Sequence, residues 1–227
     1  FFWTHNDSGN PARIYAVRKN GKLIEPWAEG LRIGGFPNID WEDIAIDENN
    51  RLFVADIGNN RGSRDDLAVL VLPDPSCEDE EKANPYRIAL AYPPDDGTSY
   101  DAEALFVHEE KIYILTKNTI DLTTTLFCLD DWNPAQINIL RKVSTFDIGG
   151  LVTAADISSD GSRLAVLTYT RIWIFSAPFN GDDFLSGTPR SRPLIGGQCE
   201  GIAFSGEELV ITNEQRMIFT VPLSELP

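Results

Sequence analysis

The chain has 227 residues, 42% of them hydrophobic, enough for one large domain or two small ones with a substantial buried core. Its 35 acidic residues against 19 basic ones leave a formal charge of −16, which repels phosphates and argues against nucleic acid or an anionic membrane as partner. No apolar run nears the roughly 20 residues that a helical membrane span needs.

The sequence opens at Phe1 without a Met and without a charged-then-apolar leader, so a removed signal segment or a trimmed start is expected. Cys77, Cys128 and Cys199 cannot all pair within one chain, and their spacing matches no zinc or CxxC pattern. Cys128, inside the apolar run LFCLD, reads as a core residue.

Helical periodicity is nearly absent. Short runs of Val, Ile, Leu, Phe, Tyr and Trp alternate instead with Gly, Asn, Asp and Pro. In chain order, FFWTHND reads as one strand and RIYAV (13–17) as the next. WEDIAIDENNRLFVAD from Trp41 is a strand, a tight polar turn and a second strand, followed by LAVLVL (67–72) and RIALAY (87–92). The intervening DPSCEDEE (74–81) reads as an exposed insertion. AEALFVHEEKIYILT from Ala102 repeats the paired strands, with TLFCL (125–129) and INILRKV (137–143) after it. AADISSDGSRLAVLT from Ala154 leads to RIWIF (171–175) and then to RSRP (190–193), read as a loop. CEGIAFSGEELVITN from Cys199 leads to MIFTV (217–221). Asn, Asp and Gly in the turns ENN, SDG and SGE tolerate the backbone angles of tight hairpins.

Units of four antiparallel strands recurring every 45–60 residues or so are the pattern of a β-propeller blade. The expectation is an all-β, single-domain, five-bladed β-propeller with units near 1–40, 41–100, 101–152, 153–198 and 199–227. The first blade lacks its inner strand and the last its outer one. A β-sandwich also has many short strands, but it does not explain a Glu-apolar start at unit after unit.

In such a blade the start of the first strand and the end of the second meet at one face of the ring. Glu42, Glu103, Ala155 and Glu200 stand at the strand starts, with Asp43 and Asp156 one residue later. Asn6, Asp56, Thr116, Thr168 and Asn213 stand at the second-strand ends, and Asp7, Asn59, Lys117, Tyr169 and Glu214 just beyond. All are expected around one channel mouth. Crowded carboxylates call for raised pKa values or a cation, and oxygen-only ligands suit Ca²⁺. Glu42, Asp56, Glu200 and Asn213 are the expected metal ligands. Asn6, Asp7, Asn59, Thr116, Lys117, Tyr169 and Glu214 are expected to bind a ligand. The bland alternative is that these acids accept backbone N–H groups and tie blades together.

His5 lies on the site face and is the candidate neutral-pH acid or base. His108 falls in a turn on the opposite face and reads as solvated. Arg61 and Arg64 follow the second strand of the second unit and would meet an anionic ligand at the mouth. No GxSxG and no phosphate-binding GxxxxGK is present.

The combination EGIAF…LVITNE, EALFV…IYILTK, ADISSDGSRLAV and FWTHNDSG resembles bacterial propellers of the group containing TolB-like proteins, gluconolactonase-like proteins and esterase-like phytases. That resemblance implies a periplasmic or secreted protein. In the gluconolactonase-like branch a Glu at a blade start, with Asn and Asp at channel positions, holds a divalent cation; Glu200 or Glu42, Asn213 and Asp56 match by residue type. A phytase-like relationship implies a phosphate ester, for which Lys117, Arg61 and Arg64 are available. Two functions follow. One is a non-catalytic binding or scaffold propeller that takes a small molecule or protein at its mouth. The other is a Ca²⁺-assisted hydrolase of a lactone or (phospho)ester, with His5, Asp56 or Glu200 taking the proton. Glycoside hydrolysis by a pair among Glu42, Glu103 and Glu200 is a third possibility.

Overall fold

A computed structural model describes residues 1–77, 82–94 and 97–226. It is all-β, with five small sheets arranged as the blades of a five-bladed β-propeller. Blade 1 holds β1 (Phe2–His5), β2 (Arg13–Val17) and β3 (Leu31–Ile33). Blade 2 runs β4 (Trp41–Ile46), β5 (Leu52–Asp56) and β6 (Ala68–Leu72); β7 (Lys82–Ala83) then crosses back to pair in parallel with β3, and β8 (Tyr86–Ala91) completes the blade. Blade 3 runs β9 (Ala102–His108), β10 (Lys111–Thr116) and β11 (Thr123–Leu129). Next β12 (Ile137–Ile139) crosses back to pair in parallel with β8, and β13 (Arg141–Asp147) ends the blade. Blade 4 holds β14 (Val152–Ile157), β15 (Arg163–Thr168), β16 (Arg171–Ser176) and β17 (Arg190–Pro193). Blade 5 holds β18 (Cys199–Ser205), β19 (Glu208–Asn213) and β20 (Ile218–Pro222).

Strands covered on both faces read as unbroken apolar runs, and β5, β6, β10 and β15 are buried along nearly their whole length. Alternate side chains of a strand face opposite neighbours. Along β9, Leu105 and Val107 pack toward blade 2, while Ala104 and Phe106 pack toward blade 4. Each fully buried Leu, Ile or Phe contributes roughly 1.5–3 kcal/mol. Four apolar clusters result, between blades 1 and 2, 2 and 3, 3 and 4, and 4 and 5.

Two inner-strand aspartates reinforce this packing. Asp43 accepts the N–H groups of Leu105 (2.9 Å) and Ala155 (3.1 Å), joining blade 2 to blades 3 and 4, as well as that of Ile44. Asp156 accepts the N–H of Phe204 at 2.7 Å, joining blade 4 to blade 5.

Several sequence expectations are corrected. INILRKV is two strands, β12 and β13, serving different blades, because the chain turns at Leu140. RSRP is no loop: it pairs with β16 as the outer strand of blade 4. Blade 1 also has an outer strand, β3, whose three residues carry too little alternation to be seen. His108 is wedged rather than solvated; its ring meets Phe184 edge-on at 5.6 Å and fills the space above Gly161, where any side chain would collide with it. Of the insertion 74–81, residues 78–81 lie outside the described residues.

Candidate functional site

In every complete hairpin of inner and second strand the ladder skips one residue near the mouth. Trp41 pairs with Asp56 and Asp43 with Ala55, so Glu42 is the extra residue. By the same shift Glu103, Thr153 and Glu200 are the extra residues of β9, β14 and β18. Such a bulge bends the strand and re-aims the side chain of the residue it adds. Three glutamates are thereby presented at the mouth, while the fourth bulge presents Thr153, whose hydroxyl donates to the Cys199 carbonyl at 2.7 Å. The equivalence read from sequence is corrected here. Thr153, not Ala155, matches Glu42, and Asp156 sits two residues farther down its strand than Asp43 does.

Glu42 and Glu103 share a side-chain hydrogen bond, and Glu103 forms a salt bridge with Lys117. Burial pushes the Glu42 carboxyl far above the usual range, and the Glu103 and Asp40 carboxylates add to the shift. Burial raises Glu103 as well, with Lys117 pulling back. Burial also works against the Lys117 ammonium, but Glu103 and Asp101 outweigh it and hold its pKa above the ordinary lysine value. The consistent reading is a protonated Glu42 donating to an ionised Glu103 that is neutralised by Lys117. Gly58 packs directly under the carboxylates of Glu42 and Asp40, where any side chain would collide with both.

Glu200 lies on the other side of this group. Burial, then Glu103 and Glu214, push its pKa to about 7, against a hydrogen bond from Tyr169. Tyr169 also bonds Gln198 and lies in the field of Lys117. Glu42, Glu103, Lys117, Tyr169, Glu200 and Glu214 therefore line one cleft of about 810 Å³.

The other expected site residues have different partners. Asp56 forms a salt bridge with Arg64 at 2.9 Å and accepts the Asp40 N–H, and Arg64 also binds Asp66 and the Gly58 carbonyl. Arg64 is thus held inside the loop rather than presented to a ligand, whereas Arg61 is exposed. Asn59 is buried and ties its loop to Asp101, Ser99 and Tyr100. The Thr116 hydroxyl accepts the Thr125 N–H, and Asn213 spans the Gly196 carbonyl and the Met217 N–H. The carbonyls of Asn6 and Asp7 accept the Asn38 amide, and the Asp7 side chain is exposed. His5 stands edge-on to Trp41 at 5.8 Å, its Nδ1 is 3.1 Å from the Asn6 carbonyl, and burial lowers its pKa.

Of the expected metal quartet, Glu42, Glu200 and Asn213 line the mouth cleft, together with His5, Asn6 and Asp7, whereas Asp56 does not. Among the described residues the trio with ligand atoms all within 4.8 Å of one another is Cys128, Asp130 and Asp182, on the flank of blades 3 and 4. Lys111 and Arg141 are interleaved there as salt-bridge partners.

Sequence reasoning missed Asp40, Asp101 and Gln198 at the mouth. Their signal was the triplet Asp40-Trp41-Glu42, repeated as Asp101-Ala102-Glu103 and Gln198-Cys199-Glu200: a polar residue, a buried one, then the bulge.

No family profile matches the chain, and no curated protein does. Among solved structures it is similar to a protein from Lactobacillus plantarum, at 13% identity over 95% of this chain and 64% of that one, with a TM-score of 0.44. It is similar to Sqt1 from Chaetomium thermophilum, solved bound to the N-terminus of the ribosomal protein L10, at 17% identity over 80% and 45% of the two chains, with a TM-score of 0.44. The computationally designed Ika4 protein is matched at 11% identity over 84% and 96%, with a TM-score of 0.42. The chain thus spans less than two thirds of the length of the first two. The five sheets themselves make the fold a β-propeller; membership of the TolB-like, gluconolactonase-like or phytase-like group is not shown. No described helix is long and apolar enough to cross a membrane.

Proposed function

We propose that this propeller is a non-catalytic binding protein whose channel mouth takes a small polar ligand. The observation that carries the reading is the bulge placed at the same register in blades 2, 3 and 5, which turns Glu42, Glu103 and Glu200 into one cleft beside Lys117 and Tyr169. The fourth bulge shows the structural use, since Thr153 ties blade 4 to the Cys199 carbonyl of blade 5; the three glutamates instead line the cleft. The cleft offers acceptors at Glu103 and Glu200 and the Lys117 ammonium as donor, and one carboxyl, Glu200, is poised to change charge near neutrality. The hydroxyls of Glu42 and Tyr169 are already donated to Glu103 and Glu200. Around it the mouth-side loops expose Ile39, Ile120, Leu122, Ile195 and Met217, with Ile120 at 94% and Ile195 at 101%. A polar centre inside an apolar rim suits a ligand with a hydrophobic flank or a protein partner.

Ca²⁺ enters this reading as a competitor for Lys117, since a cation beside Glu42 and Glu103 displaces that ammonium. A periplasmic or secreted location belongs to the same proposal, through the resemblance of the blade motifs. The hydrolase reading is weaker at Asp56, which Arg64 and the Asp40 N–H hold, whereas His5 lines both clefts.

The test is the melting temperature of the native chain and of Glu200→Gln, in EDTA, in CaCl₂ and across a set of polyols and amines. The expected result is a rise of several degrees with at least one of them, lost in the variant. A native melting temperature that none of them moves overturns the proposal and leaves the glutamates as structural ties.

A further inference from the structure

Exposed aliphatic side chains gather on one face of the ring. The mouth-side loops 34–40, 117–122, 194–198 and 214–217 carry Ile39, Ile120, Leu122, Ile195 and Met217, and Ile120 and Ile195 are as open to solvent as free side chains. Apolar residues scattered singly over a surface are ordinary, but several around one mouth are not. Here they stand at the entry of blade 2, in blade 3, and on two loops of blade 5. A small molecule seated at the centre touches one or two of these loops. A protein surface covers them all.

The loops are braced, so their side chains are in place before a partner arrives. The Asn38 amide donates to the carbonyls of Asn6 and Asp7, and its oxygen accepts the Trp41 N–H, which fixes the turn carrying Ile39. The Ile120 N–H donates to the Asn118 side chain, and Asp121 accepts the N–H and the hydroxyl of Thr123. Asn213 joins two of the loops. Its amide donates to the Gly196 carbonyl, next to Ile195, and its oxygen accepts the Met217 N–H. The Glu214 N–H adds a bond to the Gln198 carbonyl. Loops held in this way lose little freedom on contact, as a preformed docking face requires.

Charge narrows the partner. Arg64 and Lys117 are taken up by Asp56, Asp66 and Glu103. Among the described residues of the mouth-side loops, that leaves Arg61 and Arg216 exposed against Asp7, Asp65, Asp121 and Glu214. The glutamate cleft lies at their centre. Nucleic acid and anionic lipid are repelled by such a face, and a basic side chain is attracted to it.

We infer that the mouth face is a docking surface for a protein that presents a Lys or Arg side chain flanked by aliphatic ones. The basic group enters the glutamate cleft, and its neighbours cover Ile39, Ile120, Ile195 and Met217. The inference rests on the binding role proposed above and names its partner, which the glutamates alone do not.

The probe is a phage-displayed library of random peptides, panned on the native chain and counter-selected on Ile120→Ser/Ile195→Ser. Both substitutions lie at fully exposed positions, and the double variant is expected to melt with the native chain. The selected peptides are expected to share a basic residue beside aliphatic ones, and a synthetic copy to bind one-to-one in isothermal titration. Its affinity is expected to fall about tenfold or more in the double variant, and likewise when its basic residue is replaced by Gln. High salt is expected to weaken it severalfold. No selected peptide, peptides without a basic residue, or equal binding to the double variant overturns the inference. Sedimentation tests the other occupant: a native chain that dimerises while the double variant stays monomeric makes the partner a second copy and overturns the one named here. A small amine or polyol that raises the melting temperature of native chain and double variant alike, with no peptide bound, overturns the docking surface and leaves the ligand cleft standing. A chain that answers to neither loses both.

Discussion

The junction between blades 3 and 4 and the junction between blades 5 and 1 solve the same problem in opposite ways. At the first, Phe106 and Tyr113 stack at 4.7 Å, Phe184 caps both rings edge-on, and Leu164, Val166 and Phe175 close the far side. At the second, Thr4, His5 and Ile218 face one another across open space, and Lys19 reaches Glu208 at 2.8 Å over the gap. The backbone plan is the same at both. The inner strand is the difference: where β9 and β14 stand side by side, each contributes a row of apolar side chains to the shared layer. Among the described residues no such row stands between β18 and β1. Where two inner strands meet, their apolar rows carry the packing between the blades.

The largest effect that sharpens this contrast is in the sealed junction. Phe106→Ala removes a fully buried ring and is expected to cost about 3–5 kcal/mol in urea unfolding. The matching truncation at the open junction, Ile218→Ala, takes away a half-exposed side chain and is expected to cost less than about 1 kcal/mol. Comparable losses in the two would show the open junction to be as well packed as the other and would break the comparison.

Next in size is Asp43, which ties the sealed side together. Asp43→Ala leaves the N–H groups of Leu105 and Ala155 buried without an acceptor, for an expected loss of about 2–4 kcal/mol. Asp43→Asn keeps one acceptor oxygen near both donors and is expected to lose about half as much. Equal losses in the two variants would mean that the bonds matter less than the charge.

These variants also show how far the sequence could be read. The blade repeat was visible because β4–β5, β9–β10, β14–β15 and β18–β19 are tight hairpins, in which local alternation and turn chemistry carry the signal. The strands that cross between blades, β7 and β12, were invisible as such. Their pairing is parallel and non-local, and two or three residues hold no period. The mouth was legible in part. The glutamates stood out. In blade 4 the acid that invites alignment with Asp43 lies two residues farther down its strand, so aligning AADIS on WEDIA put Ala155 and Asp156 where Thr153 and Ala154 belong. Which polar residues face the mouth and which tie loops, as Asn59, Thr116 and Asn213 do, depends on partners distant in the chain or across a turn, and residue type does not encode that.

A third prediction uses pH to separate sealed from open packing. Burial raises Asp156 to about 7 from an ordinary value near 3.8. A folded state that holds the proton more tightly than the unfolded chain is least penalised below pH 4, and it loses stability as the pH climbs through 7. Asp156→Asn keeps an acceptor for Phe204 and cannot ionise. Denaturant midpoints measured from pH 4 to pH 8 are expected to fall more steeply for the native chain than for the variant. Parallel curves would show that Asp156 titrates as if in water, and that the blade 4–5 junction admits solvent as the open one does.

The smallest effect is expected at Lys19, and its smallness is informative. The Lys19–Glu208 pair is the polar bridge across the open junction, yet both side chains are about 40% exposed, at 43% and 41%. An exposed pair of long side chains gains little in high dielectric and loses rotamer freedom, so such contacts contribute about 0–1 kcal/mol and fade with salt. Lys19→Ala is therefore expected to shift stability by less than about 0.5 kcal/mol in low salt and by nothing measurable in 0.5 M NaCl. A loss above about 1.5 kcal/mol that persists in salt would mean that this pair clamps the ring shut. The junction would then behave as a closed interface held by charge, and the difference between it and the packed interface of blades 3 and 4 would lie in the kind of bond rather than in how firmly the two sides are joined.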